Sequence, residues 1–394
     1  MKKENLAALI GILLLSIVGQ SQLQLSSKLT TGALIIIYTF IILISLSRWG
    51  YTFKIHPNIL LSVVLLPTFF AIRLIPSPIN SPSLLLFPVY TGLFLVGNFI
   101  AIPKLFTWLR FCQIVSRLGT ALAILGAIIL VTGGIDLGLY ELTPWKPNRL
   151  IMSSLLTNPN TFGFVMMIGT FAAIYEYTQT KHWQPIVLTI VGVSALYMSR
   201  ARSPMLGLSV ALGYLLVARV FNRTALPYIV IPHFVGIGLF LSAVLGILPL
   251  PSEFFLINFS GRLVIWDAAG QAIRDSSFFN LVVGQGYISP PDLLAEYIAP
   301  EQKVTGLHNA YLQMLVRFGI AGLLLHFTVY FLGSLHAVRS QNINIYPVTL
   351  VLGISVYILF ESPLFFTPGI TSVLQGLVLG YALKLDLAMS PHGN

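Results

Sequence analysis

Apolar residues run along this chain in long blocks separated by short polar stretches. They follow neither the strict alternation of half-buried strands nor the one-sided stripe of a soluble helix. Blocks that predict membrane-crossing helices fall at 5–19, 29–47, 59–75, 84–102, 113–132, 160–177, 185–199, 204–218, 225–248, 309–333, 346–360 and 368–384. In hydrocarbon a segment must satisfy its own backbone N–H and C=O groups, so such blocks predict helices. The short alternating segments of a membrane β-barrel are absent. The pattern therefore predicts an all-α, polytopic membrane helix bundle of about 12 transmembrane helices. Residues 1–394 form a single integral membrane domain in this reading. The first block is short and follows Lys2 and Lys3, as a signal peptide would. No convincing small-x-small cleavage site comes after it, so its retention is expected.

Composition narrows the class. Hydrophobic residues make up 56% of the 394 positions and charged residues only 9%, against roughly 25% charged in soluble domains. A soluble globular fold and a disordered chain are both excluded. The net charge of +10 would suggest nucleic acid in a soluble protein. Here it sorts by loop. With the N-terminus placed in the cytoplasm, cytoplasmic segments carry Lys2, Lys3, Arg48, Lys54, Lys104, Arg110, Lys181, Arg219, Arg223, Arg339 and Lys384. The short outer loops at 20–28 and 76–83 carry only Lys28. This is a positive-inside bias. It puts both termini in the cytoplasm and makes membrane lipids, not nucleic acid, the expected surroundings. The single Cys112 allows no intrachain disulfide and no thiolate metal cluster. No Walker-type phosphate loop and no Asp-x-Asp pair of the sort that holds a metal for a nucleotide-sugar is present.

Two outer segments depart from the short, uncharged pattern: 133–159, and the large loop 249–307 between the ninth and tenth blocks. The second holds Glu253, Asp267, Asp275, Asp292, Glu296 and Glu301, half of the chain's 12 carboxylates. It is longer than a connector needs. Within it, Arg262–Arg274 reads as a short helix and Gly284-Gln285-Gly286 as a turn.

Three clusters could carry chemistry. In Ser199-Arg200-Ala201-Arg202-Ser203-Pro204, Ser203 suits a helix N-cap and Pro204 a first turn. A helix start flanked by Arg200 and Arg202 could cradle a diphosphate; the bland alternative is a capped hairpin whose Arg side chains reach lipid headgroups. In the second cluster Arg262 and Trp266 share a helical face, with Asp267 beside them. Arg would suit a phosphate and Trp a sugar ring, or the pair could simply anchor an interfacial helix. In the third, His308-Asn309 precedes Gly319 and Gly322. His308 could take a proton from an attacking hydroxyl and Asn309 could cap the helix, while the glycines would allow close approach of a neighbour. A cap, an interfacial His and a packing seam are the bland counterparts. Arg73, Arg117, Glu176, His233, Arg317, His326 and Glu361 also lie in or beside the apolar blocks, and most fall within reach of an interface. Arg317 reads as structural or as pairing across helices.

Taken together, these clusters resemble the O-antigen ligase and O-antigen polymerase superfamily. The resemblance covers roughly 195–325: an Arg-Ser hairpin, then Arg-x3-Trp in a long outer loop, a Gly-x-Gly turn, and His-Asn-x9-Gly-x-x-Gly. It departs from the family at Arg317, and in offering both Arg200 and Arg202 where relatives have a single Arg; Arg202, at the helix start, is the better match. The resemblance implies a metal-independent glycosyltransferase of the bacterial inner membrane, with its active site on the periplasmic face. The donor would be a glycan on undecaprenyl diphosphate. The acceptor would be lipid A core, as in O-antigen ligases, or the end of another lipid-linked glycan, as in the polymerases. His308, Arg262 and Arg202 would be catalytic, and Arg200, Ser203, Trp266, Asp267 and Asn309 would bind substrate. A transporter, for inorganic carbon or a lipid-linked glycan, is the rival from another class. Transporters place polar groups near the midplane in related halves, whereas here the ionisable groups gather on one side and in one half of the chain.

Overall fold

The apolar blocks fold as helices, because only a helix satisfies its backbone internally once lipid replaces water. The computed structural model describes residues 3–23, 27–49, 64–65, 67–69, 82–136, 141–145, 151–221, 225–249, 261–286, 290–299, 304, 306–339, 344–364 and 367–383. The first helices are α1 (Lys3–Val18), α2 (Ser27–Trp49), α3 (Pro82–Val96), a π-helical turn at Gly97–Ala101, and α4 (Ile102–Leu105). Then come α5 (Trp108–Thr132), α6 (Pro159–Thr180), α7 (Gln184–Met198), α8 (Arg202–Val220) and α9 (Leu226–Val244). Three short helices follow: α10 (Arg262–Arg274), α11 (Phe278–Val283) and α12 (Pro290–Leu294). The chain closes with α13 (Ala310–Arg339), α14 (Ile345–Tyr357) and α15 (Ile370–Leu383). The only paired strands among the described residues are Ile135–Asp136 and Glu141–Leu142, antiparallel and two residues each. The protein is an all-α membrane bundle. Among the described residues six helical stretches are long and apolar enough to cross a bilayer: 29–47, 88–105, 108–132, 202–220, 226–244 and 310–339. The expected span at 59–75 falls mostly outside the described residues; helices overlie the other expected intervals.

Burial separates inner helices from outer ones. Every residue of α15 is buried, as is nearly all of α14 and most of α6, which is how a helix that is apolar all round behaves. The outer helices instead expose large apolar side chains at helical spacing. Leu29, Ile36, Phe40 and Leu43 do so on α2, and Tyr228, Ile231, Val235 and Leu239 on α9. Those faces suit lipid.

One seam sets up the functional end of the bundle. Helices α8 and α14 touch backbone to backbone at Gly207 and Gly353, where a Cβ on Gly207 would lie 2.9 Å from the Gly353 carbonyl oxygen. Small residues at such a crossing let helices approach closely where no hydrophobic force drives them together. The contact draws the start of α8 towards the residues that follow α14.

The charged and imidazole groups flagged within the apolar blocks mostly resolve into local pairs. Arg117 grips Glu176 with two bonds, at 2.9 and 3.2 Å, and Ser116 adds a third. His233 bridges Tyr214 on α8 and Ser355 on α14 at 2.9 and 2.8 Å. Arg73 lies outside the described residues.

Candidate active site

At one end of the bundle, the starts of α8, α10 and α13 converge on the residue four positions beyond α14, Glu361. Its carboxylate is 7% exposed and has three neighbours. Arg262 Nη2 donates to Oε1 at 2.6 Å. Ser203 Oγ donates to the same oxygen at 3.1 Å. His308 Nδ1 lies 3.8 Å from Oε2. A buried carboxylate needs such partners, because desolvation without them costs several kcal/mol. The three sequence clusters, read separately along the chain, thus meet around one acid.

Each side chain is fixed by its local structure. Asn309 caps α13, its Oδ1 accepting from Leu312 N at 2.9 Å. Two residues before it, the Leu307 carbonyl accepts from Trp266 Nε1 at 2.8 Å. Immediately after it, Ala310 N donates to the Ile358 carbonyl at 2.9 Å. Held on both sides, His308 occupies the left-handed region at φ +48°. That conformation costs a residue with a Cβ about 1–2 kcal/mol and persists where its surroundings impose it. Trp266 is itself buried between Phe240 and Phe360. Its indole therefore positions the His308 segment from behind instead of presenting a face to solvent. Arg262 opens α10 directly after Gly261, which sits at φ +78°.

Ser203 does not cap α8. The helix begins one residue earlier, at Arg202, after an Ala201 that makes no side-chain cap, and the Ser203 hydroxyl turns to Glu361. The tight turn before it is held by Ser199, whose Oγ accepts from Ala201 N at 3.2 Å. Arg200 and Arg202 are both exposed at this turn, Arg200 at φ +54°. Asp267 is exposed on α10 and accepts from Gln271 at 2.9 Å. It lines a separate cavity of about 260 Å³ with Leu263 and Ala243.

The two glycine motifs meet each other. Helix α13 is broken at Gly319 (φ +65°, ψ −168°), a backbone region that essentially only glycine occupies. The break frees the carbonyls of Val316 and Arg317, and the Gly284–Gly286 turn fills it. Gln285 N donates to Val316 O at 2.8 Å and Gly286 N to Arg317 O at 3.0 Å. A Cβ on Gly284 would collide with the Arg317 carbonyl, and one on Gly319 with that of Val282. What Gly319 admits is thus the end of the short helix α11, together with the turn that follows it.

His308 and Glu361 form part of the wall of a cavity of about 380 Å³, which Gln20, Asn158, Thr161 and Thr371 also line. Among the described residues no three His, Cys, Asp or Glu side chains cluster as metal ligands would. Glu361 itself was visible in the sequence only as a charge at the edge of an apolar block. The available signal was that intramembrane carboxylates are costly and hence kept for a reason; nothing in the spacing linked it to Arg262 or His308.

Residues 187–327 match the family model described as O-antigen ligase. The match bears out the resemblance to the O-antigen ligase and polymerase superfamily read from the motifs. It covers roughly a third of the chain and includes Ser203, Arg262, Trp266 and His308, whereas Glu361 lies beyond it. No curated protein matches the chain.

Proposed function

From that family placement, we propose that the protein transfers a glycan from a lipid diphosphate carrier, undecaprenyl diphosphate in bacteria, to an acceptor hydroxyl at the outer face of the inner membrane. The observation that carries the proposal is the shared carboxylate. Glu361 brings a cation suited to a diphosphate, Arg262, within reach of a base suited to a hydroxyl, His308.

In the proposed step the acceptor oxygen bonds to the anomeric carbon of the donor sugar. The bond from that carbon to the diphosphate oxygen breaks, and its electron pair leaves with the diphosphate. Arg262, at the start of α10, offers a forked donor where that negative charge grows, and fixed donors of this kind lower such barriers. Arg202, directly before Ser203, and Arg200, three residues before it, supply further positive charge to the same donor. The acceptor proton passes to His308. Its Nδ1 side faces Glu361, so Nε2 is the nitrogen that meets the hydroxyl. As the imidazole gains the proton, its attraction to the Glu361 carboxylate grows, and the acid stabilises the cation it has been orienting. Asn309 and Trp266 position His308 without touching substrate. Asp267, bonded to Gln271 on another face of α10, is the weaker candidate for the base.

Lipid A core and a second lipid-linked glycan are the two acceptors the family offers. Incubating the protein in vesicles with undecaprenyl-diphosphate glycan and each acceptor, and following release of the lipid diphosphate, tests the proposal. Transfer to either acceptor that is lost in Arg262→Ala and His308→Ala supports it. Donor cleavage that survives both substitutions overturns the assignment.

A further inference from the structure

The cavity beside His308 is polar in two different ways. On one side stand His308 and Glu361. The rest of its polar wall is neutral: Gln20 just past α1, Asn158 and Thr161 at the start of α6, Ser362 next to Glu361, and Thr371 in the first turn of α15. Among the described residues no Lys or Arg lines it. Arg262 pairs with the other oxygen of Glu361 and is not part of this wall. The carboxylate thus separates a cationic side from a side of amides and hydroxyls.

That neutral wall has hydrogen-bonding capacity to spare. Asn158 uses its Oδ1 to cap α6, accepting from Asn160 N at 2.8 Å. Gln20 uses its Oε1 to accept from Ile370 N at 3.1 Å. Among the described residues neither amide NH2 is engaged, so both are left for other partners. The Ser362 hydroxyl is buried with no partner among the described residues. Buried polar groups are nearly always paired, and leaving them unpaired is costly. A set of neutral donors and acceptors around one cavity matches the hydroxyls of a sugar. The volume, about 380 Å³, sits at the small end of the ~300–1,000 Å³ typical of ligand sites, so it takes the end of a glycan and not a length of it. A phosphorylated or carboxylated end would face Glu361 with no Lys or Arg among the described residues of the wall to balance it.

We infer that this cavity is the acceptor subsite and that it recognises the uncharged terminal sugar of a glycan through Asn158, Thr161, Thr371 and Gln20. The inference rests on the glycosyl-transfer reading above and adds to it which side of Glu361 each substrate occupies.

The test is a steady-state split in proteoliposomes, varying the undecaprenyl-diphosphate glycan and the acceptor independently. Thr161→Val and Thr371→Val replace a hydroxyl by a methyl of similar size. Asn158→Asp keeps a good cap for α6 but exchanges the amide NH2 for a carboxylate oxygen. Each is expected to raise KM for the acceptor roughly 5- to 30-fold, the worth of a lost hydrogen bond, with KM for the donor unchanged. Arg262→Lys should do the reverse. Treating the acceptor with phosphatase should leave its KM unchanged. Unaltered acceptor KM in all three cavity variants, a rise in donor KM instead, or a rise in acceptor KM after phosphatase treatment would overturn the inference while leaving glycosyl transfer intact. Absence of transfer by the wild-type protein to either acceptor would defeat the glycosyl-transfer reading itself, and the subsite with it.

Discussion

His308 approaches Glu361 through Nδ1, 3.8 Å from Oε2, while the other oxygen of the same acid is held by Arg262 and Ser203. The acid is therefore held from its Arg262 and Ser203 side and is not free to swing away from the imidazole. Glu361→Gln keeps the shape and the hydrogen-bonding oxygen but removes the charge that would stabilise an imidazolium. Single-turnover transfer should fall by roughly 10²–10⁴, as when the orienting acid of a catalytic His is neutralised. Glu361→Ala should also unfold more readily in a detergent melt. Breaking a fully buried ion pair costs about 3–5 kcal/mol, and the loss here should be smaller because Arg262 is 18% exposed. Wild-type transfer by Glu361→Gln would remove the acid from the mechanism.

His308 itself allows function and folding to be separated. Because it sits at φ +48°, His308→Gly relieves backbone strain while deleting the imidazole. The variant should melt no lower than wild type, and up to ~1 kcal/mol more stable is the expectation for a left-handed site. Its transfer rate should nonetheless drop by about 10²–10⁴, the usual worth of a general base. His308→Gln distinguishes proton transfer from orientation, since an amide can hold a hydroxyl but not take its proton. Restoration of much of the rate by Gln would leave His308 an orienting group only.

These two residues also mark how far the sequence could be read. The helices were legible because lipid forces each span to be a self-contained apolar block, and the cap at Asn309 and the helix at Arg262–Arg274 follow from local rules. The meeting of Arg262, Ser203 and His308 was legible only as three motifs in order along the chain. Glu361 was not legible, because its role comes from where α14 ends against α8, a tertiary fact set by Gly207 and Gly353. Trp266 shows the same limit from the other side. Its spacing from Arg262 suggested a side chain for a sugar ring or an interfacial anchor, but packing between Phe240 and Phe360 turns it inward to hold the Leu307 carbonyl. The helical face was right and its direction was not, since periodicity says which residues lie together but not what covers them.

The paired glycines give a third prediction. Gly284 (φ +82°, ψ 174°) and Gly319 (φ +65°, ψ −168°) both occupy backbone regions closed to other residues, and each abuts the backbone of the other's segment. Gly284→Ala or Gly319→Ala adds strain and overlap of about 1–3 kcal/mol each. Both should lower the melting temperature and, by loosening α13 below its cap, reduce transfer. Gly213→Ala in α8, where a Cβ meets nothing within 4 Å, should do neither. Equal melting temperatures for all three variants would contradict the clamp.

The Lys/Arg distribution predicts which end of the bundle faces out, and labelling can check it with little background. The sole cysteine, Cys112, is fully buried, so no cysteine-free parent is needed. Glu296 is exposed in the large loop that supplies Arg262, and His182 is exposed between α6 and α7, in the segment that carries Lys181. A basic short loop is retained in the cytoplasm, whereas a long polar segment crosses largely regardless of its charge. In intact spheroplasts Glu296→Cys should therefore react with an impermeant thiol reagent, and His182→Cys should react only after the membrane is permeabilised. The site at Glu361 would then open where lipid-linked glycans are used, on the outer face. Labelling of His182→Cys with protection of Glu296→Cys would invert the bundle. It would place Arg262 and His308 on the cytoplasmic side, and the proposed donor would have to be presented there instead.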